Sequence, residues 1–276
     1  MAEVAAASRV PSDRAVILGS LIALAAAAWG LLIWQSVAMD DEMSLTMGMS
    51  PPLFIALWVA MMVAIMYPTA APMIMAFARI HNDRRERGKA FVPTWIFAGS
   101  YIALWSATGI LAYGVAVVGD YLANQSAWLS DNAPRLGGGL LIVAGLYQLT
   151  PLKDICLSKC RTPMSFLMNS WREGFGGAVH MGLEHGAYCL GCCWLLFLII
   201  FPLGMMNIGV LALITILIFA EKVLALGRYV TYAAGAGLVV YGAVVVFVPE
   251  ALPMTMDNSH IEQMSGMTDT RDAAPS

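Results

Sequence analysis

The chain reads His185-Gly-Ala-Tyr-Cys189-Leu-Gly-Cys192-Cys193-Trp194-Leu-Leu-Phe-Leu-Ile-Ile-Phe201 in the stretch that decides its fold. An imidazole and three thiols stand at the head of a continuous apolar run, which is typical of a membrane-embedded helix. Because residues three and four apart share a helix face, we expect Cys189 to lie beside Cys192 and Cys193, one turn after His185. The stretch therefore predicts a cluster of soft ligands inside a bilayer.

Composition places the whole chain among integral membrane proteins. Of its 276 residues, 59% are hydrophobic and 12% are charged, whereas about a quarter of the residues in a soluble domain are charged. Apolar segments long enough to cross a hydrocarbon core of about 30 Å cover residues 15–38, 53–78, 91–119, 136–151, 176–203, 208–222 and 229–248. We therefore predict an all-α fold, a polytopic membrane bundle of about seven transmembrane helices, since helices satisfy their own backbone in lipid.

The segment 176–204 is too long for one upright helix. At about 1.5 Å per residue its helix would exceed the hydrocarbon thickness, so we expect it to tilt, break or re-enter. Around the membrane domain, residues 15–248, we expect an N-terminal arm over residues 1–14 and a flexible methionine-containing tail over residues 249–276, where hydrophobicity is low.

Lysine and arginine residues fall in alternate connections, which predicts the topology. They cluster before the first apolar segment and after the second, fourth and sixth segments, while acidic residues dominate the other connections. The clustered residues are Arg9, Arg14, Arg79, Arg84, Arg85, Arg87, Lys89, Lys153, Lys159, Arg161, Arg172, Lys222 and Arg228. We therefore expect a multi-pass protein of the bacterial inner membrane with a cytoplasmic N-terminus and a periplasmic C-terminal tail.

The cysteine-rich stretch carries the ligand types that select monovalent copper. Thiolate, thioether and imidazole suit copper(I), whereas carboxylate-rich sites suit harder ions. We interpret Cys189, Cys192, Cys193 and His185 as metal ligands, with copper(I) as the ion and zinc as the alternative. The competing interpretation is that the cysteines are small apolar packing residues, a common role for free cysteine.

Methionine is the second type of candidate copper ligand, with 19 residues in the chain. Met62 and Met66 are four apart in the second apolar segment, with Met61 on the adjacent face. We predict that all three bind the ion, although methionine also fills irregular gaps in cores. Pro68 and Pro72 are expected to kink this segment. Further methionines are expected to capture copper on the periplasmic side, namely Met43, Met47, Met49, Met254, Met256, Met264 and Met267, together with His260.

Two pairs of ionisable residues carry alternatives that the sequence leaves open. His180 and Glu184 are one turn apart and either belong to the metal site or lie solvated at headgroup level, since ionisable groups at membrane depth are expensive. Glu221 and Lys222, at the end of the sixth segment, form either a functional ion pair or an interfacial salt bridge.

Cys156 and Cys160 are four residues apart in a basic connection. Neighbouring positive charges favour the thiolate, which binds metals and reacts. The two residues are therefore either a second metal station or a redox pair. The third interpretation is a pair of unpaired thiols, because a stable disulfide is rare in a reducing cytoplasm.

Several of these elements together resemble a known family. The chain is similar to the predicted metal-binding integral membrane proteins of bacteria in Trp58, Met61-Met62, Met66-Tyr67-Pro68, Pro72, Cys156-Leu-Ser-Lys-Cys160-Arg-Thr-Pro163, Gly182, His185-Gly186, Tyr188-Cys189-Leu-Gly-Cys192-Cys193-Trp194 and Glu221-Lys222. The resemblance covers roughly residues 53–248. It implies a multi-spanning fold, metal binding and, by likeness to one described branch, a copper chaperone that loads a tyrosinase-type polyphenol oxidase.

These patterns favour a copper(I)-binding membrane protein. It would deliver copper to a copper-dependent oxidase or serve as a metal-binding subunit of a membrane metalloprotein assembly, with the lipid bilayer and those proteins as partners. Two alternatives stay open: a thiol redox or electron-transfer component, and a scaffold subunit of a larger membrane complex. No Gly-rich phosphate loop, Ser/His/Asp arrangement or nucleic-acid-binding surface is evident, which favours a non-enzymatic role without ATP-driven pumping or nucleic acid binding.

Overall fold

The computed structural model describes residues 2–38, 45–88 and 91–252, with side chains from residue 14 onward. Within these ranges every regular element is helical and no strand occurs, which confirms the all-α prediction. The helices are α1 (Ala2–Ala38), α2 (Pro51–Glu86), α3 (Thr94–Gln125), α4 (Ala127–Asp131), α5 (Ala133–Gln148), α6 (Pro151–Arg161), α7 (Pro163–Asn169), α8 (Gly174–Leu198), α9 (Ile200–Leu203), α10 (Ile208–Val223) and α11 (Gly227–Phe247), and a short 3-10 turn follows at Pro249–Ala251.

Five helical segments are long and apolar enough to cross a membrane: α1 from Arg14, α2, α3, the α8–α9 pair and α11. A sixth crossing results if α5 and α6, which meet at an angle of 64°, form one broken span. Each of the seven predicted apolar segments does form helix, but α10 has 16 residues and falls short of the about 20 that a crossing needs. The described residues thus support five or six crossings, and the count of seven is not confirmed.

The long apolar run that ends at Leu203 forms one candidate crossing, Gly174–Leu203, with a single-residue interruption between α8 and α9. α8 ends at Leu198 and α9 begins at Ile200. Gly204 then takes a φ of 95°, a left-handed conformation that glycine adopts at little cost, and the run ends there. By contrast, α2 continues as one helix through its two internal prolines.

α2 and α8 form the centre of the bundle. In the most apolar window of α2 and of the α8–α9 segment, 61% of the residues are buried inside the protein, against 22% in α1, α3 and α11. α3 packs on both central helices, α1 covers α2, and α6 packs on α8. α10 contacts α2, α6 and α11. The outward faces of α3 and α11 carry exposed apolar side chains such as Leu111 and Phe247, as expected of helices that border lipid.

Basic connections meet at one end of the bundle, which we call the basic end. Arg84, near the end of α2, forms an ion pair with Glu173, which precedes α8. Arg161 of α6 donates to the carbonyl oxygen of Leu224, just after α10, at 3.0 Å. These contacts agree with the alternation of basic residues along the sequence. The opposite end, called the acidic end, holds residues 45–50 before α2, Asp120 of α3 and the turn between α9 and α10.

Four glycines bring α5 and α11 into backbone contact. A Cβ atom at Gly242 would lie 2.6 Å from the carbonyl oxygen of Gly138, and one at Gly145 would lie 2.7 Å from that of Gly235. Cβ atoms do not approach backbone oxygen so closely, so these positions accept only glycine. Close approach through small residues is a common basis of helix association in lipid.

Replacing Gly145 with alanine should separate these two helices. Because the added methyl group meets backbone rather than a mobile side chain, we expect a loss of about 1–3 kcal/mol, the usual cost of overpacking. Gly139→Ala is the matched control on the same helix, since a Cβ atom there meets nothing within 4 Å. Thermal unfolding of the detergent-solubilised protein compares the two variants, and equal midpoints would contradict the close contact.

Candidate metal centre

Three thiols from two helices converge in the interior. The sulfur atoms of Cys160, on α6, and of Cys189 and Cys192, on α8, all lie within 4.8 Å of one another, and all three residues are buried. Cys189 and Cys192 are three residues apart and therefore share a face of α8. α6 packs on α8 and supplies the third thiol. The arrangement offers three soft donors to a single ion, and we call it the thiol centre.

Two more sulfur atoms border the thiol centre. The Cys193 sulfur lies 3.2 Å from that of Cys192, and the thioether sulfur of Met66 on α2 lies 3.9 Å from the Cys189 sulfur. Met62 is fully buried one turn before Met66. Met66 therefore adds a sulfur atom from a third helix, α2, to those of the cysteines on α6 and α8.

Polar side chains from α3 and α10 complete the surroundings of Cys189. The Tyr101 hydroxyl lies 3.1 Å from the Cys189 sulfur and 3.5 Å from the Met66 sulfur. The ammonium group of Lys222 donates to the Cys189 sulfur at 2.9 Å. A buried cation needs an anionic partner, so this contact pairs Lys222 with the thiolate form of Cys189, which is the form that binds metals.

Glycines on α8 allow α3 to come close enough for Tyr101 to reach Cys189. A Cβ atom at Gly186 would meet the Leu104 side chain at 2.8 Å, and one at Gly182 would collide with Ser100. The absence of side chains at these two positions lets the helices approach, as small residues do in membrane bundles. The glycines of the motif therefore serve the geometry of the centre.

A second buried ion pair lies beside Lys222. Glu221 accepts hydrogen bonds from Lys153 of α6 at 2.8 and 3.0 Å and from the side-chain amide of Gln148 of α5 at 3.2 Å, and neither charged side chain is exposed. Neighbours on a helix point in directions about 100° apart, so Glu221 faces Lys153 while Lys222 faces Cys189. Glu221 and Lys222 therefore do not pair with each other, either as a functional ion pair or as an interfacial salt bridge. Each forms its own buried contact, Glu221 with Lys153 and Lys222 with Cys189.

His185 lies one turn before Cys189 and is enclosed by aromatic rings. It is 2% exposed, and its ring centroid lies 5.4 Å from those of both Tyr101 and Phe166. Its Nδ1 has no hydrogen-bond partner among the described residues. A neutral imidazole with an unsatisfied nitrogen is able to bind a metal ion.

A cavity of about 140 Å³ borders the thiol centre near the basic end, where Cys160 is the member of the centre that lines it. Its inner wall includes Cys160 and Lys222, whereas Pro72 and Val223 are exposed. The complete lining consists of Thr69, Pro72, Met73, Cys160, Arg161, Pro163, His185, Lys222 and Val223. Because Arg161 and Pro163 form the junction of α6 and α7, the cavity opens beside the basic connections.

Aromatic side chains cover the thiol centre toward the acidic end. The ring centroid of Phe197, two turns beyond Cys189 on α8, lies 5.0 Å from that of Trp105 and 6.4 Å from that of Trp58. Phe201 continues this layer against Trp58 at 6.4 Å. All four aromatic side chains are buried, whereas the cavity near the basic end reaches the thiol centre at Cys160.

Three predicted ligands other than methionine lie apart from the thiol centre, namely His180, Glu184 and Cys156. His180 and Glu184 lie side by side, with 3.6 Å between Nδ1 and Oε2, and 50% and 27% of their side chains are exposed. Neither residue is among the converging thiol ligands of the buried group. Cys156 is half-buried, with its sulfur against Gly191. The cysteine pair of α6 is therefore divided, and Cys160 alone joins the thiols of α8.

The other predicted methionines lie elsewhere. Met49 and Met61 line a separate cavity near the acidic end, and Met47 is half-buried. Met43, Met254, Met256, Met264 and Met267, together with His260, lie outside the described residues.

A family model described as PpoB2, copper chaperone, matches residues 55–245, which is more than two thirds of the chain. The chain belongs to this family. The match confirms the resemblance to a copper chaperone that the motifs indicate, and the matched segment holds all five cysteines of the chain. The chain matches no curated protein and no solved structure.

In this member of the PpoB2 copper chaperone family, the centre includes two contacts that the motifs do not reveal. Tyr101 lies in an apolar helix, and nothing in the neighbouring sequence marks it as a residue of the site. Lys222 does carry one, since an ionisable residue in an apolar segment is by default a functional candidate. Its contact with Cys189 follows only from the packing of α10 on α2 and α6.

Removing the charge of Glu221 should destabilise the protein strongly. In Glu221→Gln the ammonium group of Lys153 stays buried without a counter-charge, which costs about 3–5 kcal/mol. The double variant Glu221→Gln with Lys153→Met is the control, because it removes both charges and should recover much of the loss. Denaturant unfolding in detergent measures both free energies, and equal losses in the single and double variants would exclude the ion pair as the cause.

Proposed function

We propose that the protein is a copper(I) chaperone of the bacterial inner membrane that holds its cargo between α6 and α8. The observation that supports this most is the convergence of Cys160, Cys189 and Cys192 within 4.8 Å in a buried site, in a chain of the copper chaperone family. The three ligands that we propose are Cys160, Cys189 and Cys192, with Cys193, Met66 and His185 as candidates for a fourth.

The donor set favours copper(I) over other metals. Thiolates and thioethers are soft ligands that select copper(I), whereas zinc in proteins is bound by cysteine, histidine and carboxylates. The Met66 thioether, 3.9 Å from the Cys189 sulfur, therefore favours copper. With two of the cysteines bound as thiolates and the others as thiols, the copper(I) ion and its ligands together carry one negative charge. The ammonium group of Lys222 offsets that charge in a medium where uncompensated charge is costly.

The cavity supplies a route for the cargo at the basic end. It joins Cys160 and Lys222 to the exposed Pro72 and Val223, while aromatic side chains cover the opposite side of the centre. Positively charged connections lie mostly on the cytoplasmic side of membrane proteins, so we place this opening in the cytoplasm. We propose a copper-dependent oxidase as the recipient, receiving the ion where the cavity opens.

Cys160 and Cys156 provide a matched pair of variants, since they lie one turn apart on the same helix. Cys160→Ser should lose most of the bound copper, because it removes one of the three converging sulfur atoms. Cys156→Ser should retain it, because that thiol lies against Gly191 outside the group. Elemental analysis of protein purified under reducing conditions from copper-replete cells gives the copper-to-protein ratio. Full retention of copper in Cys160→Ser would remove the basis for the proposed site.

Blocking the cavity should slow release of the ion without removing it. In Val223→Trp a large ring stands at the mouth of the cavity, and we expect copper(I) transfer to a soluble chelator to slow by about tenfold or more, equivalent to about 1.4 kcal/mol of added barrier. Leu213→Trp, on an exposed position of the same helix, is the control. Stopped-flow absorbance of the chelator complex measures the rates, and an unchanged rate in Val223→Trp would place the route elsewhere.

A further inference from the structure

A second cavity, near the acidic end, is lined largely by methionine. Its lining consists of Leu32, Met49, Phe54, Leu57, Trp58, Met61, Met205 and Met206. The four methionines come from three parts of the chain. Met49 precedes α2, Met61 lies within α2, and Met205 and Met206 form the turn between α9 and α10. The fold therefore gathers thioethers that lie far apart in the sequence.

The backbone before α2 holds Met49 against this cavity. Met47 and Gly48 both have left-handed φ values, 50° and 61°, and a residue other than glycine rarely adopts such a value. Asp120 of α3 accepts a hydrogen bond from the backbone N–H of Leu45 at 2.7 Å, which fixes the same connection. Uncommon backbone conformations persist where the surrounding structure imposes them. Here the result is that only 7% of Met49 is exposed.

The cavity suits one small monovalent ion. Its volume is about 10 Å³, close to what a single water molecule requires, and none of its lining residues carries a charge. Thioether sulfur is a soft, neutral ligand that suits copper(I). The indole ring of Trp58 adds a π face that attracts cations.

The same helix, α2, carries Met61 of this cavity and Met66 beside the thiol centre. Met61 and Met66 are five residues apart on α2, which separates them by about 7.5 Å along the helix axis, and the fully buried Met62 lies between them. Trp58 lines the cavity and also packs against Phe197 of the aromatic layer. Trp58 therefore borders both this cavity and the aromatic layer that covers the thiol centre.

We propose that Met49, Met61, Met205 and Met206 form a second, thioether-only site for copper(I) that captures the ion at the acidic end. The inference rests on the proposed function, because the methionine site would bind copper(I) before the thiol centre of the same protein does. Copper(I) enters at the methionine site, passes along α2 to the thiol centre and leaves through the cavity at the basic end.

The test uses the full chain with the thiol centre removed by Cys160→Ser, Cys189→Ser and Cys192→Ser together. Copper(I) is titrated anaerobically against a chelator of known affinity. We expect two bound equivalents in the unmodified protein and one in the triple cysteine variant. Adding Met61→Leu and Met205→Leu should remove the remaining equivalent, whereas Met164→Leu with Met168→Leu, at exposed positions on α7, should not. Leucine and methionine exchange conserves volume, so the fold is expected to persist.

X-ray absorption at the copper edge gives a second readout. In the triple cysteine variant that also carries Met66→Leu, a volume-conserving exchange that removes the thioether beside Cys189, selenomethionine labelling should give the bound copper selenium neighbours. A protein that binds one equivalent, lost entirely with the cysteines, would overturn the methionine site and leave the proposed function standing. Copper without selenium neighbours would also overturn it. An unmodified protein that binds no copper would overturn both.

Discussion

The burial of charge is the constraint on which the rest of this structure depends. Lys153 and Lys222 are both buried, and each meets an acidic group: the carboxylate of Glu221 for Lys153 and the sulfur of Cys189 for Lys222. An unpaired charge in such surroundings would cost several kcal/mol. Because Glu221 and Lys222 are adjacent on α10, these contacts fix the end of that helix against α5 and α6 on one side and against the thiols on the other.

The two ends of the bundle differ in a way that suits a carrier with a direction. Toward the basic end the thiol centre borders a cavity with Lys222 and Arg161 in its wall. Toward the acidic end it is covered by aromatic rings, beyond which lies a cavity lined by neutral thioethers. Neutral ligands bind copper(I) without a change in their charge, whereas thiolates add the attraction of opposite charges at short range. We infer that the thiol centre holds the ion more tightly than the methionine site.

The sequence predicts what is local in this fold and misses what depends on packing. Apolar runs predict the helices, and the three-residue spacing predicts the shared face of Cys189 and Cys192, because both signals lie within one helix. It does not predict that Cys160 rather than Cys156 joins them, since this depends on how α6 is oriented after its 64° bend from α5. Tyr101 reaches the centre only through the close approach of α3 and α8. The predicted crossing at α10 is not confirmed because that helix is short.

The ligand atoms around the ion test the central claim most directly. X-ray absorption at the copper edge of the purified, reduced protein identifies the atoms bound to the metal and its oxidation state. We expect copper(I) whose nearest neighbours are mainly sulfur, and we expect the number of sulfur neighbours to fall in Cys189→Ser. Copper bound by nitrogen and oxygen alone, or an unchanged sulfur shell in that variant, would contradict a centre built from thiols of α6 and α8.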